Sequence, residues 1–314
     1  MAAWNIRGFN HPDKVFACKR LIQSHKLDLI CILENRINIL SFQDPFFEIS
    51  HSLFPNEASC NNFALNSSGR IWIKWNASKI CFKPTQISPQ IISGFILVAN
   101  QPILHLSAIY ASNNQLERKE LWEAIADIHA SINLPWALMG DYNCCRFASD
   151  KLGGIPISMS SLADFNTMIF NNGLKDLTSV GLNYSWFNQR SDNPIHIKLD
   201  HVLVNDLWLE SFAGSYCSFQ NPSCSDHTPI LLHSGNPLSH FSNSLKLFKE
   251  CIKKEGWSSS NCVKKHLDAL LGKQKSLLEL LQMDHNNREI NLSYKAINSE
   301  VANFLGQLGE VYWT

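Results

Sequence analysis

The chain has 314 residues, 45% hydrophobic and 17% charged, which supplies enough apolar material for a sizeable core and excludes a wholly disordered, highly charged chain. Lys plus Arg balances Asp plus Glu at 27 each, so no global basic field draws the protein onto nucleic acid, and any contact with DNA must be local. No apolar run reaches the ~18 residues of a membrane span, the opening Met1-Ala2-Ala3-Trp4 lacks the apolar stretch of a signal peptide, and the ten cysteines show no zinc spacing.

These features predict an intracellular protein, nuclear or cytoplasmic, with reduced thiols and no membrane association. In chain order, Ala2 to Ile6 reads as a short strand leading to Arg7-Gly8. Pro12 to His25 places Val15, Phe16, Leu21 and Ile22 on one helical face. Asp28 to Leu33 predicts a buried strand that stops at Glu34. From Asn35 to Ser107, short apolar runs such as Ile71 to Trp75 and Gly94 to Ala99 are separated by Asn, Ser, Pro and Gly, the pattern of antiparallel strands. Leu104 to Tyr110 is a further strand. Gln115 to Ile132 carries Leu121, Trp122, Ile125 and Ile128 at helical spacing and leads into an apolar strand, Pro135 to Gly140, that stops at Asp141.

Ser160 to Asn172 predicts another helix, and Tyr184 to Asn188, Leu199 to Val204 and Pro229 to His233 predict strands. The alternation, without a repeat period, argues a mixed α/β or α+β fold of packed layers. After Gly235 the chain becomes rich in Asn, Ser and Pro through Ser244, then shows helical patterning from Val263 to Met283 with interleaved Lys and Glu. This predicts a catalytic domain over 1–235 and a helical tail over 236–314. No stable protein partner is expected.

Polar residues recur where apolar strands stop: Asn5, Glu34, Tyr110, Asp141 with Asn143, Asp200, and Asp226 with His227. In layered α/β folds the carboxyl ends of strands are where ligands bind. Taken singly, Glu34 also fits a surface strand end, Asp141 an Asx turn after Gly140, and Tyr110 a core aromatic. Asp200 enters an apolar strand, and a buried carboxylate needs a partner. Taken together, Glu34, Asp226 and the amide oxygen of Asn5 are hard oxygen donors suited to Mg2+, with Mn2+ as a substitute. A histidine oriented by a carboxylate supplies proton transfer. His196 and His201 lack a third ligand at metal spacing and read as polar surface or loop residues; Trp186 reads as core packing or as a platform for a displaced base.

Six ordered blocks, Trp4-Asn5-Ile6-Arg7-Gly8, Leu33-Glu34-Asn35, Ile109-Tyr110-Ala111-Ser112-Asn113, Gly140-Asp141-Tyr142-Asn143, Leu199-Asp200-His201-Val202 and Ser225-Asp226-His227, resemble the endonuclease/exonuclease/phosphatase superfamily over residues 1–235. Within it, Gly69-Arg70-Ile71-Trp72, Arg118-Lys119-Glu120-Leu121-Trp122, Gly153-Gly154, Tyr184-Ser185-Trp186 and the stretch Lys198 to Asn205 are similar to the endonuclease part of plant LINE-type (non-LTR) retroelements. Those proteins normally continue into a reverse transcriptase, which this sequence does not contain, so it resembles a detached fragment whose tail once led to the polymerase.

The resemblance implies a DNase I-like four-layer sandwich, two mixed β-sheets face to face with helices outside. It also implies a Mg2+-dependent DNA-nicking endonuclease that leaves a 3′-hydroxyl and a 5′-phosphate. Glu34, Asn5 and Asp226 would hold the metal. His227 would face the scissile phosphate, oriented by Asp200. Asp141 would orient or deprotonate water, Asn143 would hold a phosphate oxygen, and Tyr110 would contact the phosphate or the leaving oxygen. Asn113, Arg118 and Trp186 would support DNA or phosphate binding. His201 replaces an Arg common at that position, which puts a supporting ion pair or phosphate contact in question. Alternative functions are a phosphatase for a small phosphorylated substrate and a noncatalytic retroelement remnant.

Overall fold

The computed structural model describes residues 1–65, 69–235 and 262–312. Two sheets form its centre. One has seven strands in the order Ser179–Gly181, Tyr216–Phe219, Ile230–His233, Ala2–Asn5, Leu29–Leu33, Ile71–Asn76 and Glu57–Asn61. The other has six, in the order Lys175–Asp176, Asp200–Val204, Trp136–Asp141, Gln101–Tyr110, Ile91–Val98 and Cys81–Ile87. Both are mixed: Ala2–Asn5 runs parallel to Leu29–Leu33, and Gln101–Tyr110 parallel to Trp136–Asp141, within otherwise mostly antiparallel ladders.

Side-chain alternation along these strands builds the layers. Leu29, Cys31 and Leu33 face inward with Ile71 and Ile73, meeting Ile92, Leu106, Ala108, Met139, Val202 and Val204 of the second sheet in one buried cluster. The intervening Ile30 and Ile32, with Ala2, Trp4 and Trp72, face the other way and pack under Val15, Cys18 and Ile22 of the helix Pro12–His25. On the far side Ile91, Ile109, Leu138 and Leu203 lie beneath Leu121 and Ile125 of Gln115–Ser131 and Phe165 and Ile169 of Met159–Asn171. The result is helix, sheet, sheet, helix, the α/β sandwich that the resemblance implies. Leu29–Leu33 is buried on both faces, which is why its sequence is uniformly apolar rather than alternating.

The helix ends carry the expected chemistry. Pro12 opens the first helix, and Asn114, Ser158 and Asn205 cap later ones by accepting backbone N–H bonds from Leu116, Ser161 and Trp208. Three features differ from the reading of the sequence. Residues 39–50, expected to lie among strands and loops, instead form two short helices, Ile39–Phe42 and Pro45–Ser50, opened by Asn38 and Asp44 side chains that accept from Leu40 and Phe46 N–H. Local capping outweighs the short apolar runs there. His196 and His201 are buried at 0% and 1% exposure, not surface residues: His196 stacks on Phe187, while His201 Nδ1 lies 3.2 Å from Asp176 Oδ2. Finally, Asp200 is the first residue of its strand and the Asp226-His227 pair precedes its own, so none of them ends a strand. Because those strands run antiparallel to Trp136–Asp141 and Ala2–Asn5, their starting ends lie at the same edge as the carboxyl ends of the neighbours.

The predicted helical patterning from Val263 to Met283 corresponds to the helix Cys262–Met283, followed by Arg288–Tyr312. The two form a hairpin packed on the sandwich: Leu267, Leu270, Ile297, Val301 and Leu305 join the cluster under the first helix, and Leu278, Leu281 and Tyr294 join the central one. The Asn236 to Ser244 stretch lies outside the described residues. Among the described residues no helix is long and apolar enough to cross a membrane, and the eight described cysteines whose side chains are placed are free thiols.

Candidate active site

The register of the second sheet brings two carboxylates side by side. Asp200 pairs directly with Asp141 across the antiparallel ladder, and Tyr110 pairs with Asp141 across the parallel one. In the first sheet Asn5 ends its strand opposite Leu33, so Glu34 follows one residue beyond. Gly140, at φ 141°, lets the Asp141 strand approach its neighbour closely, since a Cβ there would lie 2.1 Å from the carbonyl oxygen of Ile109.

His227 is drawn into this edge by its neighbours. Its carbonyl accepts from Trp4 Nε1 at 3.0 Å, and Ser225 Oγ, which donates to Asn5 O at 2.7 Å, accepts from His227 N. The ring then meets Asp200: Nδ1 stands 2.9 Å from Asp200 Oδ2, which makes Nδ1 the donor and leaves Nε2 as the outward nitrogen. Nε2 lies 3.8 Å from Asp141 Oδ2 and 3.4 Å from Asn5 Nδ2. Asn5 Nδ2 donates to Asp141 Oδ2 at 2.9 Å, and Asp141 Oδ1 accepts the backbone N–H of Asn143 at the same distance. Ser185 Oγ accepts the backbone N–H groups of Leu199 and Asp200, fixing the approach to the Asp200 strand.

The electrostatics follow from burial and proximity. Burial disfavours the Asp141 anion, the charge on His227 counters this, and Asp200 adds repulsion; the pKa is pushed up to about 7. Burial alone would discharge His227, but Asp200 and Asp141 outweigh it and raise its pKa to about 9. Asp141, Asp200 and His227 each offer a ligand atom within 4.8 Å of the others, a grouping able to hold a metal ion.

Glu34 and Asp226 form a second focus. Both are largely shielded, at 17% and 10% side-chain exposure. Arg7 lies between them, donating to Asp226 and standing 3.7 Å from Glu34 Oε1, while Arg36 also donates to Glu34. Asp226 and Glu34 together raise the pKa of the Arg7 guanidinium. Trp186 Nε1 donates to Asp226 Oδ2 at 3.1 Å, so this half-buried residue also orients a carboxylate. Asp226 Oδ1 is buried without a hydrogen-bond partner.

Tyr110 is half-buried, and burial with the nearby Glu34 and Asp141 raises the pKa of its phenol; Arg70 sits 6.0 Å from its ring centre. Asn113 is exposed and shares a cleft of about 330 Å3 with Glu34, Arg36, Arg70 and Tyr110. Arg118 is turned inward at 5% exposure, its guanidinium donating to Ser112 O, and it braces the Tyr110 loop instead of presenting a surface cation. Asn143 Nδ2 likewise ties to Ala111 O. At position 201 the histidine faces Asp176: burial works against the Asp176 carboxylate, but His201, Lys198 and Arg146 hold its pKa below the usual range. Sequence reasoning missed Arg36 and the Ser185 brace. Arg36 stands two residues from Glu34 and was legible as a neighbouring cation; Ser185 acts on a strand fourteen residues away, with no local signal.

A two-sheet sandwich with carboxylates, amides and a carboxylate-bound histidine gathered at one edge defines the class of phosphoester hydrolases. The chain belongs to the endonuclease/exonuclease/phosphatase family, whose sequence model matches residues 2–227, and it is by class a hydrolytic enzyme. No curated protein sequence matches it. Among solved structures it is similar to the endonuclease domain of TRAS1, a telomere-specific non-LTR retrotransposon, with TM-score 0.56 and 12% identity over 74% of this chain and 96% of that one. It is also similar to the AP endonuclease LMAP from Leishmania major, with TM-score 0.58 and 14% identity over 75% and 87%, and to an AP endonuclease from Archaeoglobus fulgidus, with TM-score 0.54 and 13% identity over 74% and 98%.

Proposed function

We propose that the chain is a divalent-metal-dependent endonuclease of the plant LINE type that nicks DNA, leaving a 3′-hydroxyl and a 5′-phosphate. The observation that carries this reading is the single hydrogen-bonded cluster of Asn5, Asp141, Asp200 and His227 beside the Glu34 and Asp226 carboxylates.

The metal reading has its own support. Glu34, Asp226 and Asn5 provide hard oxygen donors, and the buried, unpartnered Asp226 Oδ1 is a donor atom with no use inside the chain. Mg2+ held by Glu34 and Asp226, with Asn5 beside them, would offset the charge that develops on the phosphate and leaving oxygen. Asp141, its two oxygens fixed by Asn5 and Asn143, orients the attacking water and takes its proton. His227, held by Asp200, donates from Nε2 to a phosphate oxygen and stabilises the growing negative charge. As the new oxygen–phosphorus bond forms, the bond from phosphorus to the 3′ oxygen breaks, and that oxygen takes a proton from solvent water to become the 3′-hydroxyl. Tyr110 faces that leaving group or the phosphate.

An extended phosphodiester suits the surroundings better than a small phosphate. Beyond the cleft that holds Arg36, Arg70 and Asn113, a second cleft of about 280 Å3 carries Arg7 beside Asp226, so cationic side chains flank the cluster on two sides despite the neutral net charge. Phosphate contacts of this kind position a strand without reading its sequence. The discriminating experiment incubates the chain with Mg2+ and either a labelled duplex or inositol phosphates. Cleaved strands that a polymerase extends and a ligase reseals support the proposal. Phosphate release from inositol phosphates with intact DNA would replace it with the small-substrate reading.

A further inference from the structure

We propose that the cleft between the loop following Trp186 and the C-terminal helical hairpin is a subsite for one nucleotide flanking the scissile phosphate, with the hairpin as its outer wall. The inference rests on the DNA reading above and extends it to a segment beyond the matched family region, which ends at residue 227.

The cleft is lined by Arg7, Asn188, Gln189 and Asp226 on the sandwich side and by Asn298 and Ala302 on the hairpin side. Its chemistry suits a nucleotide: a guanidinium for phosphate, and carboxamides that offer both donors and acceptors to base or sugar edges. It adjoins the Asp226 carboxylate that Arg7 and Trp186 hold, so an occupant there lies next to the proposed metal-binding carboxylates.

Both walls are built rather than incidental. In the loop, Asn188 Oδ1 accepts from Arg190 N and Ile195 N while its Nδ2 donates to Asn193 O, folding the turn around one side chain. The hairpin then grips this loop and the Asp226 loop together. Buried Asn291 donates to Arg190 O at 3.0 Å, and the Tyr294 ring packs edge-on against Phe187. On the other loop, Gln274 Nε2 donates to Ser223 O at 2.9 Å, and Asn221 Nδ2 donates to Leu271 O at 2.7 Å. Gln274 also donates to Asn298 Oδ1 at 2.7 Å, fixing the amide that faces the cleft. The hairpin thereby braces from outside two segments that also pair directly, Phe187 N donating to Asp226 O at 3.1 Å.

The test uses the full chain with Ala302→Trp, which fills the cleft from a half-exposed helical position, and Asn298→Ala, which keeps the fold should the larger residue disturb it. Dissociation constants for a fluorescent duplex are measured in Ca2+ without turnover, alongside hydrolysis of methyl p-nitrophenyl phosphate, which lacks the sugar and base that the cleft would hold. Ala302→Trp is expected to weaken duplex binding roughly tenfold or more and Asn298→Ala about threefold to tenfold, with hydrolysis of the small diester within about twofold of wild type. Unchanged duplex affinity in both variants, with a wild type that binds DNA, overturns the subsite and leaves the nuclease reading standing. A wild type that binds no duplex overturns both.

Discussion

His227 Nδ1 lies 2.9 Å from Asp200 Oδ2, with both side chains buried. In the proposed mechanism this bond keeps Nδ1 as a donor, favours the doubly protonated ring and holds its Nε2–H toward the phosphate. Asp200→Asn preserves the shape but removes the charge and permits the opposite tautomer. The expected outcome is a fall in kcat of about 10^3-fold or more with a much smaller change in KM. Rapid-quench assays on a nicked-product readout check it; a loss confined to KM would assign Asp200 to binding instead.

The raised pKa values of Asp141, about 7, and His227, about 9, set the pH behaviour. Asp141 must be ionised to take a proton and His227 protonated to give a hydrogen bond, so the pH profile of kcat/KM is expected to be bell-shaped with limbs near these values. Stability moves in one direction. Both groups are more basic in the folded than in the unfolded chain, so they stabilise the metal-free fold fully below about pH 4 for Asp141 and 6.5 for His227, ordinary values for these side chains. That contribution is lost as pH rises through 7 and then 9. Thermal melts in EDTA between pH 5 and 10 are expected to show a falling Tm that His227→Gln makes shallower at the alkaline end.

Arg7 occupies the space between Glu34 and Asp226, where, in the proposed mechanism, its charge would compete with a divalent cation for the same carboxylates. Arg7→Met is expected to tighten Mn2+ binding about tenfold in the absence of DNA while raising KM for the duplex. Electron paramagnetic resonance titration of free Mn2+ reads the first effect. Equal or weaker Mn2+ affinity in the variant would show that the guanidinium does not compete.

Gly140 tests whether backbone geometry positions the site. An alanine Cβ there meets the Ile109 carbonyl at 2.1 Å and forces an unfavourable φ. Gly140→Ala is expected to cost at least about 1–3 kcal/mol of stability and to displace Asp141, lowering kcat more than Tm loss alone explains at temperatures where the variant stays folded. Denaturant melts paired with rates at that temperature separate the two.

Much of this site was legible in the sequence because its residues sit at strand ends, and strand ends are marked by abrupt changes from apolar to polar residues, as at Leu33-Glu34 and Met139-Gly140-Asp141. Asp200 was legible for a different reason: a carboxylate inside an apolar strand demands a partner, and His227 is that partner. Strand direction was not legible, since alternation is the same read either way; only the ladders reveal that Asp200 opens its strand and that Asp226 lies ahead of the next. Burial of His196 and His201 was hidden because imidazole suits both surface and core, and their Phe187 and Asp176 neighbours are distant enough in sequence to leave no local pattern. Arg118 shows the converse: the resemblance implied support for phosphate or DNA binding, whereas its guanidinium donates to a loop carbonyl. The hairpin's apolar face was legible as helix, but its docking on the sandwich was not, because its partners lie roughly one hundred residues earlier, as Asn291 and Arg190 do.

The measurement that tests the central claim most directly is nicking of supercoiled plasmid by the full chain with Mg2+, beside His227→Ala, Glu34→Ala and an EDTA control. The account predicts conversion to open circles by wild type, at least about 10^2-fold slower conversion by each variant, and none in EDTA. Nicking that persists in EDTA or in both variants would contradict the assignment of this cluster as the catalytic site, and a well-folded wild type that leaves the plasmid intact would contradict the nuclease itself.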